Sequence, residues 1–151
     1  EKDKEIIYNL MQLYTYDMSV FEDETANFKL LENGLFEIKY LEYYWIENTR
    51  HPFLIKYNNK IAGLVLVRFN ENNMYEVSEF FILNRYRNLG IGKYVAKEVF
   101  EKFNGKWEVS TLLKNEIARD FWRKVISEFT NNKYEERSIK NNSRIAFYFK
   151  T

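Results

Sequence analysis

The sequence predicts a mixed α/β fold, α+β to some classifiers, in which a mostly antiparallel sheet is flanked by helices. Three observations carry this. An amphipathic run at helical spacing opens the chain, short apolar or alternating runs separated by Asn- and Gly-bearing turns follow, and two helix-like segments interrupt those runs after Leu83 and after Leu112. At 151 residues the chain fits one domain, residues 1–151, able to bury on the order of 70% of its unfolded surface.

Taken in order, Ile6, Ile7, Leu10, Met11 and Tyr14 recur at helical spacing, and Met18 and Phe21 extend the same apolar face. From Glu22 to Tyr40 the pattern loosens around a turn at Glu32-Asn33-Gly34, and Tyr40 to Trp45 reads as a short helix or irregular segment crowded with aromatics. Phe53–Tyr57 and Lys60–Val67 form a hairpin about Asn58-Asn59, because asparagine tolerates the left-handed conformation such a turn needs. A strand from about Met74 to Leu83 precedes the helix-like run Lys93–Phe100. The strand Trp107–Leu112 precedes the helix-like run Asn115–Lys124. Lys133–Ile139 and Ser143–Phe149 close the sheet as a hairpin around Asn141-Asn142.

Composition excludes several chemistries. Lys and Arg number 23 against 22 Asp and Glu, so no net field draws the chain to nucleic acid or an acidic membrane. There is no Cys and one His, which removes thiolate nucleophiles, disulfides and multi-histidine metal centres, and no metal is expected. The longest apolar run, Ile61 to Val67, is far short of the roughly 20 residues of a membrane span, and Glu1–Glu5 carries no signal-like apolar stretch. The expectation is a soluble, cytoplasmic protein. His51, beside Pro52 at a strand start, reads as structural.

The most informative stretch is Arg87-Asn88-Leu89-Gly90-Ile91-Gly92. A strand passing through a glycine turn into a helix leaves the first helical N–H groups unpaired and aimed at one point, which favours an anion. A dinucleotide fingerprint fails because Val95 stands where the third glycine belongs, and a Walker loop fails at Arg87 and Tyr94. The spelling Arg-x-x-Gly-x-Gly after a hydrophobic strand resembles instead the acyl-CoA pyrophosphate loop of the GNAT superfamily of N-acetyltransferases. A second block, Asn115-Glu116-Ile117-Ala118-Arg119-Asp120-Phe121-Trp122, resembles that family's Asn-x-x-Ala-x-x-Phe-Tyr segment, with Trp122 in place of the tyrosine. The resemblance covers about Phe53 to Phe149.

The resemblance implies an acetyl-CoA-dependent acetyltransferase with a small-molecule or peptide amine as acceptor. It implies that amides from Leu89 through Gly90, Ile91 and Gly92 to Lys93 hold the pyrophosphate, with Arg87 and Asn88 in the same loop. It further implies that main-chain groups of Ile82 and Leu83 pair with the pantetheine arm, that Asn115 and Trp122 flank it, and that Glu79 is the general base. Asn115 equally suits an N-cap, and the pattern Glu76-Val77-Ser78-Glu79-Phe80 does not fix the face Glu79 occupies. Trp122 cannot give up a proton to the leaving thiolate as a tyrosine would. A catalytically weak CoA-binding sensor is the alternative. The aromatics Phe36, Tyr40, Tyr43, Tyr44 and Trp45 either line an acceptor pocket or pack, and a homodimer would pair through an exposed strand.

Overall fold

The computed structural model describes residues 2–21 and 29–151. Residues 22–28, part of the loosely patterned stretch, lie outside the described residues. Helix α1 (Lys2–Met18) continues into a 3-10 turn at Ser19–Phe21, and a second 3-10 turn spans Leu41–Trp45. The strands β1 (Arg50–Tyr57), β2 (Lys60–Phe69) and β3 (Tyr75–Ile82) precede α2 (Ile91–Lys102), β4 (Lys106–Leu112), α3 (Glu116–Thr130), β5 (Glu135–Ile139) and β6 (Arg144–Lys150). They form one six-stranded sheet in the order β1-β2-β3-β4-β6-β5, antiparallel except for β3 against β4.

Local chemistry explains the turns. Asn58 and Asn59 both take positive φ, 48° and 61°, the backbone that lets a two-residue loop match the twist of β1 and β2. Lys140, Asn141 and Asn142 do the same between β5 and β6. In the Glu32-Asn33-Gly34 turn, Asn33 accepts a bond from the Leu35 N–H and Gly34 sits at φ 79°. Strand β1 starts at Arg50, earlier than the expected Phe53. Pro52 is tolerated there because β1 is an edge strand and need not donate on both sides.

The apolar run that looked longest in the sequence becomes a strand covered on both faces. Leu64 and Leu66 of β2 pack under α1 with Ile7, Leu10 and Met11, while Val65 and Val67 face the cluster of Phe100, Trp122 and Ile126 from α2 and α3. Trp107 anchors that second cluster through ring contacts to Phe100 at 5.0 Å and Phe149 at 6.2 Å. At the other edge, β5 is short and carries Glu135, Glu136 and Arg137, charges that discourage pairing with another chain. Among the described residues no helix is long and apolar enough to cross a membrane.

Between β3 and α2 the chain makes a 3-10 turn, Asn84–Tyr86, that the sequence reading does not contain. Tyr86 is buried there against Tyr57, which fixes where the chain leaves the sheet. Gly63 in β2 fixes the β2–β3 approach, because a Cβ on it would stand 1.9 Å from the Phe81 carbonyl oxygen. Gly63→Ala is therefore expected to cost about 2–3 kcal/mol through forced displacement of β3. Thermal denaturation should read this as a fall in Tm of roughly 5–10 °C.

Candidate functional site

Two irregularities in β3 create the site. The first is that β3 and β4 pair only at Tyr75–Trp107, Glu76–Glu108 and Val77–Val109. Beyond Val77, β3 continues along β2 alone and β4 along β6 alone, so the parallel pair opens. The second is a bulge: Leu66 pairs with Glu79 but Val67 with Val77, leaving Ser78 without a partner.

The bulge decides where Glu79 points. In a regular strand Val77, Glu79 and Phe81 would share one face. Here Val77 belongs to the core beneath α2 and α3, whereas Phe81 belongs to the core beneath α1. The extra residue switches the alternation, and Glu79 falls on the α1 side with Tyr14 and Tyr40. Alternation in the sequence alone left this open because the inserted residue is invisible there.

The opening between the strands is a cavity of about 580 Å³. Glu79 lines it with Tyr14 and Tyr40 on one side, Ser110 and Arg144 on another, and Trp122 of α3 below. Tyr40 donates to Glu79 Oε1 at 2.6 Å. Burial raises the Glu79 carboxyl above the usual carboxylate range, opposed by the hydrogen bonds from Tyr40 and Tyr14 and by the charge of Arg144. Burial and the adjacent carboxylate push both phenols upward, so Tyr14 and Tyr40 stay protonated and serve as donors. The result is a carboxylate kept partly out of water, with a heightened affinity for a proton, facing a hollow large enough for a small molecule.

The glycine turn joins the end of β3 to α2. Gly90 caps α2 at φ 77° and Asn88 also has positive φ, 61°. The first intrahelical bond runs from the Tyr94 N–H to the Gly90 carbonyl, which leaves the N–H groups of Ile91, Gly92 and Lys93 without helical partners. Leu89 is exposed in the turn. A Cβ on Gly92 would press to 3.3 Å from the Phe121 ring and 3.7 Å from Ile82, so this glycine serves the close packing of α2 on α3. The two glycines thus answer different demands, one of conformation and one of space.

The charged side chains of the turn are engaged elsewhere. Arg87 donates from Nε to the Ile82 carbonyl at 2.8 Å and from Nη2 to Asp17 at 2.6 Å, and its guanidinium lies over Phe81. Lys93 forms an ion pair with Glu128 of α3. Arg87 thereby ties α1 and β3 to the turn. The Leu83 N–H donates to the Ala62 carbonyl at 2.8 Å and the Leu83 carbonyl accepts from the Tyr86 N–H at 2.8 Å. Since the Leu83 N–H faces β2, strand alternation turns the N–H groups of Phe80 and Ile82 toward the open side.

Asn115 caps α3, its side-chain oxygen accepting from the Ala118 N–H at 3.1 Å, while it also lines the cavity. Trp122 is 5% exposed and packed between Phe80 and Phe121, each ring 4.9 Å away, with its remaining surface on the cavity. Of the expected aromatic set, Tyr40 reaches the cavity, Tyr44 is buried under α1 and Tyr43 is exposed beside Arg50. His51 packs on the Phe103 ring at 4.8 Å, and burial lowers its pKa, as suits a structural residue. Sequence reasoning missed Tyr14, Ser110 and Arg144 as cavity residues: Tyr14 looked like one more apolar contact of α1, and nothing in the tail marked Arg144.

Solved structures share this fold. An acetyltransferase from Thermus thermophilus superimposes with a TM-score of 0.73 over 99% of this chain and 92% of its own at 10% identity. A GNAT family acetyltransferase from Elizabethkingia anophelis, with acetyl-CoA bound, gives 0.59 over 76% and 84% at 15% identity. The microcin C7 self-immunity acetyltransferase MccE, in complex with acetyl-CoA and AMP, gives 0.66 over 99% and 88% at 13% identity. At these identities the likeness speaks to the fold. No curated protein sequence matches the chain. Residues 9–126 match the acetyltransferase (GNAT) family profile, a span that includes the second half of α1, the bulged β3, the glycine turn and most of α3, and the chain belongs to the GNAT acetyltransferase family.

Proposed function

We propose that the protein transfers the acetyl group of acetyl-CoA directly to an amine, with Glu79 as the base. The observation that carries this is the placement of Glu79 in the lining of the β3–β4 opening, held by Tyr40 and raised in pKa by burial. An amine acceptor is mostly an ammonium at neutral pH, with a pKa of about 8 to 10.4, and cannot attack until its proton leaves. Glu79 takes that proton directly or through a water, the nitrogen lone pair adds to the thioester carbon, the C–S bond then breaks, and the proton still in excess on the nitrogen passes to the departing thiolate. Main-chain N–H groups of β3 near Ile82 hold the oxyanion of the tetrahedral intermediate. The diphosphate sits on the free amides of Ile91, Gly92 and Lys93, where the helix dipole adds to the attraction.

The thiolate needs no acid from Trp122. A thiol pKa of about 8.5 makes it a tolerable leaving group, and the Tyr14 and Tyr40 hydroxyls share the cavity. The sensor alternative is less consistent with Glu79. A desolvated carboxylate costs stability, and a chain without turnover would gain by replacing it with a neutral residue.

Glu79→Gln should lower kcat/KM at pH 7 by about 100-fold or more while leaving the calorimetric affinity for acetyl-CoA within about 2-fold. Thiol release in the presence of an amine panel provides the rate. Undiminished turnover would remove the base assignment. Stability should move the other way. Because the folded state holds the Glu79 proton more tightly than the unfolded chain does, its contribution is complete below the unfolded pKa of about 4.3 and is lost as pH rises through the raised folded value. Glu79→Gln is accordingly expected to melt above the parent protein at pH 7 to 8, with the difference closing near pH 4. A melting series across that range checks the sign.

A further inference from the structure

Arg50, Arg68, Arg87, Arg119, Arg123 and Arg137 each pair with a carboxylate. Arg85 is exposed and lies over the Tyr86 ring. Arg144 is the exception: it is half-buried, lines the β3–β4 cavity, and has no carboxylate within 4.0 Å among the described residues. Its Nη2 makes two long contacts, 3.2 Å to the Ser110 hydroxyl and 3.3 Å to the Ser110 carbonyl, and its Nε is buried with no partner.

A buried guanidinium nitrogen left unpaired is costly, and such groups call for an explanation. Glu79 does not supply it. The two charges influence one another across the cavity but form no ion pair. Lys140, from the turn that leads into β6, lines the same cavity with no ion pair among the described residues. The cavity thus offers a carboxylate suited to an ammonium and, apart from it, a planar fork of donors suited to a carboxylate or phosphate.

We propose that the acetyl acceptor is an amine that also carries an anionic group, a carboxylate or a phosphate, which Arg144 receives while the amine faces Glu79. This rests on the acetyltransferase reading above. A polyamine is disfavoured by the same arrangement, because its second cationic centre would meet Arg144 and Lys140.

The test compares matched acceptors by thiol release: glycylglycine against its C-terminal amide, O-phosphoethanolamine against ethanolamine, and spermidine as the polycation. At least one anionic member should exceed its neutral partner by 10-fold or more in kcat/KM, and which pair responds distinguishes carboxylate from phosphate. Arg144→Gln should reduce that ratio to about 1, whereas Arg144→Lys should retain part of it, and acetyl-CoA affinity by calorimetry should be unchanged in both. Equal rates within both pairs, a preference for spermidine, or a ratio that survives Arg144→Gln would overturn the proposal. If acetyl-CoA itself fails to bind the parent protein, the acetyl-transfer reading falls first and takes this one with it. If acetyl-CoA binds and no anionic amine is acetylated, only the acceptor assignment falls.

Discussion

Everything at the candidate site depends on where β3 stops pairing with β4. A parallel pair that ran the full length of both strands would satisfy its main-chain groups and leave no room between them. Pairing ends at Val77 and Val109, one residue before the bulge at Ser78. The same few residues therefore open the sheet and turn Glu79 away from the core formed with α2 and α3. Main-chain hydrogen bonds are obligatory in a buried sheet, so an interior strand with an unpaired side requires something else to meet those groups. An extended acyl-CoA arm is a chemically suitable partner, since it can pair with the strand as an added strand does.

The electrostatics follow from that opening. Glu79 is removed far enough from water to bind its proton more tightly, yet it is held by Tyr40 and approached by Arg144 without an ion pair. This balance is unfavourable for folding and suits the proposed role of Glu79 as base. A carboxylate fully neutralised by an arginine would be a poor base, and one exposed to water would ionise too easily to matter. Elsewhere the protein spends its charges conventionally, as in the Arg87–Asp17 and Lys93–Glu128 pairs that bind the glycine turn to α1 and α3.

Much of this was legible in the sequence. Asn58-Asn59 and Asn141-Asn142 announced their hairpins, Lys60–Val67 read as a strand without revealing that both of its faces are covered, and the glycine turn with the Asn115 block announced the family. Asn115 capping, one of the two readings its position allowed, is observed. Sequence patterns were blind to whatever depended on partners distant in the chain. The bulge at Ser78 is defined by its register with β2, the engagement of Arg87 by Asp17 seventy positions earlier, and the isolation of Arg144 by the lack of a carboxylate within 4.0 Å among the described residues. Local periodicity carries no information on any of these.

The most direct test of the central claim is a crystal structure with acetyl-CoA bound. The account predicts the pantetheine arm between β3 and β4 beyond Val77 and Val109, its thioester on the Glu79 side and its diphosphate on the N–H groups of Ile91, Gly92 and Lys93. A closed gap between the strands, or acetyl-CoA seated anywhere else on the molecule, would contradict it.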